Sequence, residues 1–364
     1  NKKNTYAISG TGVMSNKFDK ENSNPIAGFK YNVSLSKVSG NFRYGASNSF
    51  MDNKFDINDI GYLASNNRIS SGVYLAYNQY KPFWKYFLNA YNTISANYSS
   101  VYEPAHFTAF NLNFTSHFTL KNFLSIGLNS TYYPVEEYDF FEPRTQGRYY
   151  IRPQSAYVSG WFSSDYRKVL ALDGNFGTAS AKSGFRELWY GISPRIQPGT
   201  RTLFVYRINF DRYENDRGYV SSDSVIIFGN RSIHTIVNEL NSTYIFSKNL
   251  SLSLRARHYW TSVMYNWFYK LNENGELIET PYNQNSNQNL NFFNVDLVFN
   301  WRFAPGSDLS FVWKNNVQQY QNKVNYDFFE NFSNTVSAPQ MNSFSVKVLY
   351  YIDYLKLKKK KENK

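Results

Sequence analysis

Few groups in this chain are able to do chemistry, and their spacing narrows the choice further. The histidines are His106, His117, His234 and His258, and no pair has HExxH or similar spacing to hold zinc. Cysteine is absent, which removes thiolate metal sites and disulfides alike. The expectation is no metal and no cofactor. A hydrolase built into a β-wall would need a Ser, a His and an acid on one face. The sequence shows no such set, so no catalytic residue is assigned and the chain reads as a non-enzyme. His258 stands beside Trp260 on an apolar strand face and reads as part of an aromatic girdle.

Binding chemistry is better represented. The stretch Tyr138 to Arg152 carries Asp139, Glu142, Arg144, Arg148 and Arg152 among Phe140, Phe141, Tyr149 and Tyr150. Aromatic faces stack on sugar rings and charged groups bind hydroxyls, so Asp139, Phe141, Glu142, Arg144, Arg148, Tyr149 and Arg152 form a candidate glycan platform. The same loop suits a plug folded into a barrel lumen, or an outer loop held by its own ion pairs. Arg255, Arg257, Asp296 and Arg302 share a polar strand parity and are candidate lumen-lining residues, for an ion-selective passage or for mutual pairing. Asp223-Ser224-Val225 resembles the short acceptor site for O-glycosylation in Bacteroidota, which makes Ser224 a modification candidate.

The formal net charge is +12, yet Lys and Arg are scattered. No basic stripe suggests nucleic acid. The dense run from Lys356 to Lys361 reads as a solvated periplasmic tail, 356–364, with contact to anionic headgroups as the sharper alternative.

Alternation must position these groups. In Asn342 to Tyr354, Phe344, Val346, Val348, Tyr350, Ile352 and Tyr354 share one parity, opposite Ser343, Ser345, Lys347, Leu349, Tyr351 and Asp353. Successive strand side chains point to opposite faces, so one face is apolar and the other mixed. The pattern recurs at Phe29–Leu35, Ile69–Tyr77, Phe110–Phe118, Leu124–Leu128, Leu250–Trp260 and Phe293–Trp301, with less regular runs between. About sixteen strands result, most roughly 10–14 residues long against a globular norm of about 5–6. Short links such as Gln197–Thr200 and Ala304–Ser307 alternate with longer ones at 52–66, 134–153, 213–231, 261–288 and 321–341. Short turns on one side and long loops on the other mark an outer-membrane barrel. The expected fold is all-β: an antiparallel transmembrane barrel over residues 1–355. Composition agrees: aromatics reach 19% and charged residues only 18%. A mean hydropathy of −0.53 is no objection, because alternation averages hydropathy away.

Several stretches taken together carry a resemblance. They include Asp139-Phe140-Phe141-Glu142-Pro143-Arg144, Ile227-Phe228-Gly229-Asn230-Arg231, Leu271-Asn272-Glu273-Asn274-Gly275-Glu276-Leu277 and Trp301-Arg302-Phe303-Ala304-Pro305-Gly306-Ser307. Their order resembles the C-terminal barrel region of a Bacteroidota outer-membrane family of unknown function whose members carry a carbohydrate-binding-module-family-nine-like domain. The resemblance implies that this domain, and some early strands, precede Asn1. The absence of an initiator Met and an export signal implies a processed or truncated chain.

The reading is a non-enzymatic outer-membrane barrel that anchors a glycan-binding-type domain and takes part in uptake or a multi-protein assembly. Its expected partners are outer-membrane lipid and lipopolysaccharide, with glycan and other envelope proteins as further candidates. A glycan-active hydrolase with its catalytic part outside this chain, and a simple diffusion porin, stay open as alternatives.

Overall fold

A computed structural model describes residues 4–18, 25–282 and 284–355; the basic run 356–364 lies outside them. The chain opens with β1 (Tyr6–Lys17), β2 (Ile26–Lys37), β3 (Phe42–Met51), β4 (Arg68–Gln79), β5 (Phe87–Val101), β6 (His106–Leu120) and β7 (Ser125–Tyr133). A small separate hairpin follows, β8 (Glu137–Asp139) and β9 (Tyr150–Arg152). The main sheet resumes with β10 (Ser155–Ser163), β11 (Leu170–Ala181), β12 (Arg186–Ile196), β13 (Thr202–Ser221), β14 (Ile227–Ser247) and β15 (Leu250–Leu271). It ends with the rung β16 (Leu277–Thr280), then β17 (Gln288–Ala304), β18 (Ser307–Gln321), helix α1 (Phe328–Val336) and β19 (Met341–Leu349).

The main sheet has 17 strands, one of them the four-residue rung β16, so sixteen long strands remain, as the alternation predicts. Each long strand pairs antiparallel with the next in sequence, β7 passing directly to β10 and β15 to β17. Among the described residues no pairing joins β1 to β19, so the sheet has two free edges.

In-register partners share a face, so the faces can be followed from strand to strand. One row runs Leu35, Ala46, Val73, Ala96, Leu112, Tyr132. Its large apolar members are open: Leu35 is 55% exposed, Val73 56% and Leu112 40%. Further along, Phe176, Tyr190, Phe204 and Tyr206 are likewise exposed. Among the described residues no helix is long and apolar enough to cross a membrane.

Several boundaries differ from the sequence reading; the link expected at 261–288, for one, begins with β15 still running to Leu271 and holds the rung β16. The last strand stops at Leu349, where its pairing with β18 ends at Asp308, so Tyr350–Tyr354 is not strand. The link expected at 213–231 is mostly strand: β13 and β14 run 20 and 21 residues and leave only 222–226 as connection. Charges in this stretch are paired across strands, Arg231 with Asp216 at 2.5 Å. The link 321–341 contains α1. Asp327 caps it, accepting from the Glu330 amide at 2.8 Å.

Helix α1 lies on the apolar-parity face of β15, β17 and β18. Phe328 and Phe332, one turn apart, meet the His258 ring at 5.7 and 5.0 Å, and Phe332 meets Phe293 at 5.9 Å. Asn331 and Thr335 form the adjoining stripe. Asn289 and Asn291 both donate to the side-chain Oδ1 of Asn331, at 3.0 and 3.1 Å, and Trp260 donates to Asn289 at 2.7 Å. His258 is thus buried under a helix rather than set in an open girdle.

Candidate functional site

The hairpin β8–β9 is the one part of the described chain that leaves the main sheet as a separate two-stranded unit. Glu137 faces Arg152 across it, and Asp139 faces Tyr150. Asp139 organises its tip. One carboxylate oxygen accepts from the amides of Phe141 and Glu142 at 2.8 and 3.0 Å; the other takes Arg152 at 2.7 Å. This is an Asx-type turn locked by a charge-assisted pair.

The hairpin is docked at both ends. Near β6, His106 meets the rings of Tyr138, Phe140 and Tyr149 at 4.8, 5.3 and 5.4 Å. At the far side Tyr150 is buried against Phe228, Ile226, Tyr269 and Leu271. Arg148 donates to the carbonyls of Leu271 and Asn272, the latter at 2.6 Å, and the Tyr219 amide donates to Glu142 at 2.9 Å. Arg144 stacks over Phe141 and Tyr219 at 5.5 and 5.6 Å. The Gly275 backbone comes so near that a Cβ there would meet the Tyr149 ring at 2.4 Å, and its φ of +79° favours glycine independently. The hairpin therefore spans from β6 to the extensions of β13, β14 and β15.

Of the loop residues singled out in the sequence, Asp139, Glu142, Arg148, Tyr149 and Arg152 are committed to holding the hairpin. Phe141, 49% exposed, presents its ring outward, and Arg144 lies against it. Sequence reasoning missed Glu137. It shares a small recess of about 70 Å³ with Tyr150, Tyr157, Phe185 and Arg217. Burial pushes its carboxyl up to about 7 despite the opposing pull of Arg152. Its signal was the β8–β9 register, which needs the hairpin to be recognised first.

The polar strand face carries the other predicted set. Arg255 bonds Glu239 at 3.1 Å, and Asp296, its register partner on β17, lies 3.9 Å from Lys314. Arg257 has its guanidinium near the Tyr259 ring. Arg302 sits apart, beside the short 305–306 turn, paired with Asp308 at 2.9 Å. Charges here are mostly compensated across strands, which fits mutual pairing. Ser224 stands exposed at the tip of the β13–β14 connection. Among the described residues no cluster of three or more His, Cys, Asp or Glu is placed to hold a metal.

The chain belongs to the family described as domain of unknown function DUF5916, whose model matches residues 1–361. No curated protein matches it. A solved structure of OmpT, an in-vitro folded outer membrane protein of Vibrio cholerae, aligns over 86% of each chain at 8% identity, with a TM-score of 0.33.

Proposed function

We propose, from a chain whose family has no assigned function, that its sheet closes edge to edge as a transmembrane barrel in an outer membrane, with no catalytic role of its own. It anchors a glycan-binding-type domain and takes part in uptake or a multi-protein envelope assembly, and the β8–β9 hairpin narrows its mouth. The observation that carries this reading is the bare apolar face. Rows such as Leu35, Val73 and Leu112 form a continuous apolar surface far beyond what a soluble monomer leaves open. Lipid is the solvent that such a face needs. In a bilayer every backbone donor and acceptor must be paired, so the free edges of β1 and β19 call for closure. With sixteen long strands the two edges run antiparallel and can pair directly.

The test is extraction followed by conductance. The wild-type chain should need detergent, run with heat-modifiable mobility, and insert into planar bilayers. Replacing 138–151 by a short Gly-Ser linker should raise single-channel conductance severalfold. A chain soluble without detergent overturns the membrane assignment. Unchanged conductance in the hairpin variant removes the hairpin from the mouth and leaves a plain anchor or pore.

A further inference from the structure

The hairpin has a second side. Between it, the β3–β4 connection and the start of β6 lies a cleft of about 610 Å³, within the range of small-ligand sites of about 300–1,000 Å³. Tyr138, Phe140 and Phe141 supply aromatic surface, while Asn66 and Glu103 supply acceptor oxygens and Gln146 an exposed amide. We propose that this cleft is a binding site for a neutral oligosaccharide. The inference rests on the membrane assignment proposed above, because such a ligand reaches the cleft only if the long-loop side faces the outside of the cell.

Three observations carry it. First, the chemistry matches: aromatic faces pack against the C–H faces of sugar rings, and side-chain amides and carboxylates bind hydroxyls as paired donors and acceptors. Second, the wall is braced before any ligand arrives. Asn67 donates to the Glu103 carbonyl at 2.6 Å and accepts from the Glu103 amide at 2.9 Å. Asn66 donates to the carbonyls of Asn53 and Phe55 at 2.9 and 3.1 Å, and Asn53 donates to the Glu103 carboxylate at 3.1 Å. On the opposite wall, Asp139 locks the hairpin tip. Rigid walls lower the ordering cost of binding. The Phe141 ring, by contrast, stays half exposed and Gln146 is exposed, so both are available to a ligand.

Third, the local charge selects among glycans. The chain as a whole carries +12, which taken alone would favour acidic polysaccharides. The charged residues lining the cleft are Arg68, Glu103 and Asp139, and Asp139 is already paired with Arg152. Arg68 is left with Glu103 in the same lining, so the wall offers no cluster of cations to hold an acidic sugar.

The experiment uses the full chain purified in detergent and titrated by calorimetry with neutral hexasaccharides of glucose, mannose, xylose and N-acetylglucosamine, and with oligogalacturonate as the acidic probe. At least one neutral hexasaccharide should bind more tightly than oligogalacturonate. Phe141→Ala and Gln146→Ala should each weaken it about tenfold, and Phe141→Trp should restore it. Heat-modifiable mobility of each variant confirms that it is folded. If no neutral hexasaccharide binds at Kd below about 1 mM, or if oligogalacturonate binds best, the cleft assignment is overturned. It is overturned equally if Phe141→Ala binds like wild type. Membrane insertion is read separately, so a barrel that inserts but binds no glycan fails this inference alone.

Discussion

Strands β1–β7 and strands β13–β18 use the same alternation to opposite ends. In the first group the apolar parity is left bare, with Ile8 80% exposed and Ile94 58%. In the second the same parity changes composition along each strand. Leu252 and Leu254 give way to His258 and Trp260, and Leu297 and Val295 to Phe293, Asn291 and Asn289. There the face is covered by α1, and Asn289, Asn291 and Val317 are fully buried. Strand length follows: β1–β7 run 9–15 residues, β13–β15 run 20–22. A lipid-spanning strand needs only about 9–11 residues. The excess is where the hairpin and helix dock. On the membrane reading proposed above, one half of the molecule is stabilised by what surrounds it, the other by itself.

The largest effect expected of breaking this contrast is on the apolar parity of β15, short of the part that α1 covers. On the proposed membrane reading, Leu254→Arg places a charge against hydrocarbon at a cost of about 2–4 kcal/mol near the midplane, whereas Ser253→Arg, on the other face, should cost far less. Urea titration in detergent micelles or vesicles reads the difference. If Ser253→Arg is the more damaging change, the two faces have been assigned the wrong way round.

A smaller effect belongs to the covered zone. Asn331→Ala leaves the Asn289 and Asn291 amides buried without their acceptor, at about 1–3 kcal/mol. It should free α1 to proteolysis near Phe328–Val336 while the main sheet stays assembled. Leu75→Ala, on the bare face, should leave stability in lipid nearly unchanged. Equal losses for the two variants would mean that both zones are sustained by the same kind of packing.

Third in size comes pH. Glu137 has a folded value of about 7 against an ordinary 4.5, so the docked hairpin binds the extra proton. Docking is fully favoured below pH 4.5 and loses stability as pH rises through 7, by about 1 kcal/mol once solvent screening of a partly exposed group is allowed for. Glu137→Gln should flatten that slope, read as hydrogen exchange of the Ile151 amide, which donates to Gly275 at 2.8 Å. An unaltered slope would place the titration elsewhere. Smallest of all, Glu239→Gln should cost only a few tenths of a kcal/mol, because its partner Arg255 is 53% exposed. Thermal melts in detergent at low and high salt check it.

The sheet was legible because period-two alternation and the sorting of short and long links are local signals. The interior of the long links was not. The partners of Glu142 and Arg148 lie on Tyr219 and Leu271, far along the chain, and no local pattern announces them. The charged residues Asp216 and Arg231 in the strand extensions are satisfied only once β13 and β14 are paired. Helix α1 did leave a trace, Asp327 three residues before Glu330 ahead of Phe328, Asn331, Phe332 and Thr335 at helical spacing. Its polar stripe faces an equally polar patch of Asn and Gln, which hides it from a search for apolar periodicity.

The free edges also bear on the order of assembly. Every pairing in the main sheet joins strands close in sequence, and these form early because little chain entropy is spent on them. Closing β1 on β19 joins opposite ends of the chain, and it is the one contact that cannot begin until nearly all the wall exists. Under the proposed closure the seam sets the pace of folding, and a stalled intermediate would be a curled ribbon with two adhesive margins. Such a species invites pairing with a second ribbon. Refolding yield should therefore fall with protein concentration, while the rate at which the interior strands gain structure should not.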